Sequence, residues 1–293
     1  MSASSFFANR TVVIASMHRK EEAIAPLLSA ALSVQTLVPE AFNTDAFGTF
    51  TREIDRPDDQ LATARIKAEA ALTLTGETLA VASEGSFGPH PQIPFVACDR
   101  ELVLLCDRTH QLEIVGESLS TETNYRSQTI HSLEEAFAFA KAAGFPQHGL
   151  VVMRTSEPTF KEAPKKAPKE VLAKGITTEA DLVAAVKMAL AEAESLHIET
   201  DMRALYNPMR MKAIAQATQD LIQKINQCCP QCHFPGFTVV QRCPGLPCRC
   251  CGAATLLTLS ELYACQHCGF QHTQSFPDSL KFADPGQCFY CNP

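Results

Sequence analysis

The chain has 293 residues, 46% of them hydrophobic, and carries 25 basic against 32 acidic side chains for a formal net charge of -7. That length and apolar content exclude a disordered polymer and suggest one large domain plus a small one. The acidic balance argues against a general affinity for nucleic-acid backbones. No apolar run approaches a bilayer span, and Met1 to Arg10 lacks the basic start and apolar core of a secretory signal. The expectation is a cytoplasmic chain with reduced thiols and no membrane partner.

Thr11 to Ser16 reads as a short buried strand, followed by a helix from about His18 to Ser33 that Pro26 bends or divides. A strand feeding a helix N-terminus makes an anion site, because the first N–H groups of the helix lack internal partners. Ser16, His18 and Lys20 line that site, or else are an ordinary cap with two solvated side chains. Val34 to Asp55 suggests one or two strands around Asn43-Thr44-Asp45, with a second turn at Gly48.

Leu61, Ala64, Ala68 and Leu72 fall on one helical face, Gly76 stops that helix, and Leu79 to Ala82 form a buried strand. Glu84 follows just past the strand. Behind it, Gly85-Ser86-Phe87-Gly88-Pro89-His90 reads as a loop whose glycines let backbone N–H groups approach a ligand, beside a hydroxyl and a titratable ring. The plainer alternative is a tight turn next to a solvated acid.

Arg100 to Asp107 and Gln111 to Gly116 flank Arg108-Thr109-His110 as an antiparallel hairpin. Ser132 to Glu135 is a capping box, and Gly144 with Pro146 ends its helix. Gly149 to Arg154 reads as a strand, Pro158 to Glu170 as a solvated loop or lid, and Thr178 to Leu196 as an amphipathic helix. Asn207 then caps a helix that Pro208 begins. Free N–H groups there, with Arg203 and Arg210, converge on an anion as a phosphate clamp, or the arginines pair with Asp201 or Glu199.

Of 13 cysteines, Cys98 and Cys106 lie in the body and the rest crowd between Cys228 and Cys291. Four C-x-x-C pairs stand out: Cys229/Cys232, Cys248/Cys251, Cys265/Cys268 and Cys288/Cys291. Two such knuckles complete a tetrahedral Zn(Cys)4 site, so four imply two structural zinc ions. Taken in chain order, the first two pairs share one ion and the last two the other; interleaved pairing is the alternative. Cys228, Cys243 and Cys250 are left over, with His233, His267 and His272 as substitute ligands.

Helical Lys67-Ala68, Thr75-Gly76, an apolar strand, then Glu84, Gly85 and Ser86 resemble the inosine and xanthosine triphosphate pyrophosphatases and their Maf-like relatives. Val12-Val13-Ile14-Ala15-Ser16-Met17-His18 and Lys20 resemble that family's opening strand and phosphate loop. The resemblance covers about the first 90 residues. It implies a nucleotide-pyrophosphatase-like fold, with Glu84 as catalytic or metal-binding acid, Gly85 and Ser86 as phosphate contacts in reversed order, and Lys67 as the helical lysine. Ala62 stands where many members carry a magnesium-binding glutamate, with Asp58 and Asp59 a turn earlier, and His18 replaces an asparagine.

The tail motifs, from Cys229-Pro230-Gln231-Cys232 to Cys288-Phe289-Tyr290-Cys291-Asn292-Pro293, together with Asp201-Met202-Arg203 and Asn207-Pro208, resemble a bacterial family of unassigned function.

These readings give an α/β domain over residues 1–225, a mixed sheet with flanking helices, and a double zinc ribbon over residues 226–293. The expected activity is metal-dependent hydrolysis of a nucleoside triphosphate or other phosphorylated nucleotide. In it Ser16, His18, Lys20, Lys67, Gly85, Ser86, Arg203, Asn207 and Arg210 hold substrate, and Glu84 with Asp58 or Asp59 places Mg2+ or Mn2+. The rival is a non-catalytic adaptor whose ribbons bind a protein or RNA.

Overall fold

The computed structural model describes residues 4–40, 42–44, 59–155 and 169–293. The chain divides into two compact units: one spans Asn9–Leu221, the other Ile222–Pro293 together with residues 4–8. Two expected segments, Pro158 to Glu170 up to residue 168 and most of Val34 to Asp55, lie outside the described residues, as does Asp58.

In the larger unit, β1 (Thr11–Ala15), α2 (Glu21–Leu32) and β2 (Gln35–Leu37) follow a short α1 (Ser4–Phe7) of the other unit. Then come α3 (Gln60–Thr75), β3 (Leu79–Pro89), β4 (Ala97–Asp107) and β5 (Leu112–Ser120). They build a five-stranded sheet of order β2-β1-β3-β4-β5. β1 runs parallel to β2 and β3, whereas β3, β4 and β5 are antiparallel, so the sheet is mixed.

Small side chains decide how α3 docks. Ala64, Ala68, Ala71 and Leu72 are fully buried against Ala80, Ala82, Leu102 and Leu104. Gly76 ends the helix at φ 75° as its sequence suggests, whereas Asp59, expected to place an ion, caps its start: the side chain accepts from the Ala62 N–H at 2.8 Å. α2 starts at Glu21, later than expected, and runs on through Pro26 without division.

β6 (Ser127–Ile130), α4 (Leu133–Ala143), β7 (Leu150–Thr155), β8 (Lys169–Ile176), α5 (Glu179–Leu190) and β9 (Leu196–Thr200) form a second sheet, β6-β9-β7-β8, wholly antiparallel. Its core is Ala136, Phe139 and Ala140 of α4 and Leu182 and Val186 of α5 on Ile130, Leu150, Val152 and Ile198. The Ser132 hydroxyl accepts from the Glu135 N–H at 3.2 Å, and Gly144 closes α4 at φ 82°. The helix expected over Thr178 to Leu196 stops at Leu190, because Leu196, Ile198 and Thr200 are buried as alternate residues of β9.

The expected loop from Gly85 to His90 is instead strand as far as Pro89. β3 pairs residue for residue with β4, from Leu79 opposite Asp107 to Pro89 opposite Ala97. Ladder pairing with β4 takes up the backbone groups along one edge of that stretch and overrides the local turn preference of glycine and proline.

α6 (Pro208–Asn226) follows a turn of 3-10 helix, Ala204–Tyr206. It approaches β5 where Gly116 has no side chain, since a Cβ there would stand 2.2 Å from the Ala217 carbonyl oxygen.

The smaller unit is a three-stranded antiparallel sheet, β10 (Thr238–Pro244), β11 (Thr258–Ala264) and β12 (Gln271–Ser275), with the cysteine knuckles at its two ends.

Candidate functional site

Past Ala82, β3 outruns β1, and the chain leaving β1 turns through Ser16 to Lys20 beside it. The Lys20 ammonium donates to the Ser83 carbonyl at 2.8 Å, filling the hydrogen bond that a longer β1 would have made. The Ser16 hydroxyl accepts from the Lys20 N–H at 3.2 Å. The N–H groups of Glu22, Ala23 and Ile24 are used by the carbonyls of Arg19 and Lys20. The start of α2 therefore offers fewer open donors than the sequence suggests.

Lys20 sits among charges. Lys67 of α3 pairs with the Glu84 carboxylate, both nearly buried. On the other face of β3 and β4, Arg210 Nε donates to Glu101 Oε1 at 2.6 Å, with both side chains fully buried. Arg210 also donates to the Met202 carbonyl at 2.6 Å, and its guanidinium lies 5.2 Å from the Phe87 ring centre. Gly85 makes room for this pair: a Cβ would come within 2.4 Å of Glu101 Oε1. The glycine is needed for packing of a buried ion pair rather than for a turn.

Asp99 and Glu101, absent from the sequence-derived set, complete the group. They alternate with Arg100 at the head of the apolar run Leu102 to Leu105, a period-two pattern placing both carboxylates on one buried face. That alternation was the available signal. Burial, then the Glu101 charge, pushes Asp99 up to about 8. Burial, then Arg210, lowers Lys20 to about 7.

These shifts set opposite pH dependences. The proton that folded Asp99 keeps stabilises the fold below the ordinary carboxylate range, and that stability is lost as pH rises through about 8. Neutral Lys20 contributes stability above the ordinary lysine range, lost as pH falls through about 7. Asp99→Asn should therefore gain stability over the native protein as pH rises from 5 to 8, measured by urea unfolding of the zinc-loaded pair; a constant difference would refute the buried acid.

Beside Lys20 opens a cavity of about 350 Å3 lined by Ser16, Met17, Glu21, Val38, Pro39, Phe42 and Asn43. Glu21 Oε2 is buried in its wall with no hydrogen-bond partner among the described residues.

The other sequence-derived residues lie apart from this group or serve the fold. Arg203 forks onto Asp201 at 2.6 and 3.0 Å and stacks on Tyr206, the ion-pair alternative of the sequence reading. Asn207 Oδ1 accepts from the Arg210 N–H at 3.1 Å as the cap of α6, and its amide donates to Asn124. Ser86 is exposed, Asp59 caps α3, and His18 is buried. The structure thus brings together Lys20, Lys67, Glu84, Gly85 and Arg210, with Ser16 adjoining, and adds Ser83, Asp99 and Glu101.

In the smaller unit the cysteines form two tetrads: Cys229, Cys232, Cys265 and Cys268, and Cys248, Cys251, Cys288 and Cys291. Pairing in chain order is corrected to the interleaved alternative. The reason is the antiparallel register. Thr238 opposite Ala264 brings the knuckle before β10 to the one after β11. Ser260 opposite Ser275 delivers the chain after β12 to the other end, where Cys248 and Cys251 lie.

Sulfur separations of 3.7 and 3.6 Å in the first tetrad, and 3.8 and 3.5 Å in the second, match the edge of a tetrahedron with about 2.3 Å metal–sulfur bonds, about 3.8 Å. None is a disulfide. Gly252 and Gly269 take φ of 74° and 73° behind their knuckles. Burial raises the Cys229 thiol, but N–H groups of Cys232 and Gln231 bring it down to about 7; in Cys248 the Cys251 N–H leads the same effect. The tetrads can hold metal ions such as zinc.

The fold and the tetrads define a mixed α/β protein with two four-cysteine clusters able to hold metal ions. The chain belongs to the family described as Domain of unknown function (DUF6671), whose model matches residues 67–293. No curated protein matches it. Among solved structures, the crystal structure of protein VC0702 from Vibrio cholerae is similar at 13% identity with a TM-score of 0.26, over 38% of this chain and 62% of that one, under two thirds of its length. The family is described without a function, and the expected similarity to the nucleotide pyrophosphatases is not shown by these matches.

Proposed function

We propose that the larger unit binds a phosphorylated nucleotide and hydrolyses it, while the smaller unit is a structural double zinc ribbon. One observation carries this reading: three basic side chains, Lys20, Lys67 and Arg210, buried with Glu84, Asp99 and Glu101 on the two faces of β3 and β4 past the end of β1, with a cavity near Lys20 lined by Ser16 and Glu21. Burying that many charges costs more than an apolar core of similar volume, so stability alone does not account for them.

Lys20, with the Ser16 hydroxyl beside it, is the phosphate contact nearest the cavity. Its amine, able to gain or lose a proton near neutrality, can follow the charge change when a phosphoanhydride is cleaved. Met17, Val38, Pro39 and Phe42 give apolar walls for a base, and the Glu21 carboxylate oxygen accepts from an N–H on its edge. A Mg2+ or Mn2+ ion, which the carboxylate oxygens suit, supplies Lewis-acid polarisation of the phosphate when bound.

The test is phosphate and pyrophosphate release by zinc-loaded protein over standard and deaminated nucleoside triphosphates with Mg2+ or Mn2+. Turnover should fall by about 100-fold or more in Lys20→Met and Glu84→Gln, with the fold checked by circular dichroism. Absence of turnover with every nucleotide, in folded protein, would reject the hydrolase. The adaptor would then stand, favoured by the exposed Leu256, Phe282, Phe289 and Tyr290 of the smaller unit.

A further inference from the structure

We propose that Cys251 and Cys291, in the second tetrad, are a site of oxidation by hydroperoxides: they close into a disulfide and release that tetrad's zinc, while the first tetrad keeps its own. The inference rests on the zinc-ribbon reading of the smaller unit and is independent of the hydrolase.

The two tetrads share a donor set but not their surroundings. In the first, Cys229 and Cys265 are buried, Cys232 is half-buried and Cys268 is exposed. Aromatic rings pack over its knuckles. Phe234, two residues past Cys232 and 5% exposed, stacks on His267 at 4.5 Å, and Phe6 meets it edge-on at 5.3 Å. His267 stands between Cys265 and Cys268, so the stack ties one knuckle to the other. In the second tetrad, Cys251 and Cys291 are both exposed, one from each knuckle. Phe289 and Tyr290, which separate Cys288 from Cys291, are 67% and 81% exposed rather than packed over the sulfurs.

Oxidation of a thiolate follows its access to the oxidant. All four sulfurs of the second tetrad lie within 4.8 Å of one another. A disulfide needs them to close to about 2.05 Å, which moves one knuckle toward the other. Knuckles with solvent on one side can make that move, whereas the aromatic stack holds those of the first tetrad apart. In the reaction, the Cys251 thiolate attacks one peroxide oxygen, the O–O bond breaks and hydroxide leaves, giving a sulfenic acid. The Cys291 thiolate then attacks that sulfur, forming the S–S bond as the S–O bond breaks and a second hydroxide leaves. Solvent protons turn both hydroxides to water. The two sulfurs lose two electrons, the peroxide gains them, and half the donors of the site are gone.

The test is zinc release from full-length, zinc-loaded protein treated with hydrogen peroxide, followed with a zinc-binding dye after elemental analysis of the starting metal content. One ion per chain should leave, with the other at least about tenfold slower. Peptide mass spectrometry should find Cys251 joined to Cys291, and reduction in the presence of zinc should restore the site. Cys291→His keeps a fourth ligand but no second thiol, and should slow the first release by at least about tenfold. Cys250→Ser, a change at an exposed thiol outside both tetrads, should leave it unchanged. Should Cys291→His not load with zinc, the disulfide mapped in the native protein decides. Release of both ions together, a disulfide between other cysteines, or no release at peroxide concentrations that oxidise free glutathione would overturn the proposal. Native protein that carries no zinc would overturn the ribbon reading itself, and the proposal with it.

Discussion

Replacing Cys229 and Cys268 together by serine is expected to remove one of two zinc ions, whereas replacing Cys229 and Cys248 together removes both. The first pair shares a tetrad and the second does not. Pairing in chain order predicts the reverse, with Cys229 and Cys248 sharing an ion, so metal content by elemental analysis of the two proteins separates the alternatives. The effect on folding should be large. Structural zinc contributes about 10 to 16 kcal/mol in finger peptides, and this unit has little else to hold it. Its strands β10, β11 and β12 carry no buried residue, and every residue of β12 is exposed. Chelation of both ions should abolish its sheet while the larger unit, with its own cores, keeps its helices.

Arg210→Met should destabilise the larger unit by about 3 to 5 kcal/mol, because it leaves the Glu101 carboxylate buried without its cation. Glu101→Leu should cost a similar amount by stranding the guanidinium. The double substitution should recover most of that loss, since two apolar side chains replace a pair whose desolvation is no longer required. Urea unfolding of the four proteins gives the coupling free energy. Additive losses would mean that Arg210 serves the fold through the Met202 carbonyl and Phe87 contacts alone.

The pair also shows where local reading stops. Arg210 stands in the first turn of α6, where a helix N-terminus suggests an anion clamp together with Arg203. In the fold the two arginines part: Arg203 turns back onto Asp201, two residues away, and Arg210 reaches a strand 109 residues earlier. Spacing along the chain cannot say which carboxylate an arginine will meet. The same holds for Glu101, which reads as one charge in an apolar strand until α6 is laid across it.

What the sequence determined by itself rests on short-range physics. The capping box at Ser132, the Gly76 end of α3, the C-x-x-C knuckles and the buried apolar strands each depend on neighbours within a few residues, and all appear as read. Tertiary structure decided the rest. It made Gly85 to Pro89 a strand, because β4 lies alongside to take its hydrogen bonds. It interleaved the cysteine pairs, because antiparallel register fixes which knuckles meet. It gathered Lys20, Lys67, Glu84, Asp99, Glu101 and Arg210, drawn from five separate elements or their edges, on the two faces of one stretch of β3 and β4. A charge declares its sign in the sequence, but its partner, its solvent and hence its chemistry are set by what the fold brings beside it.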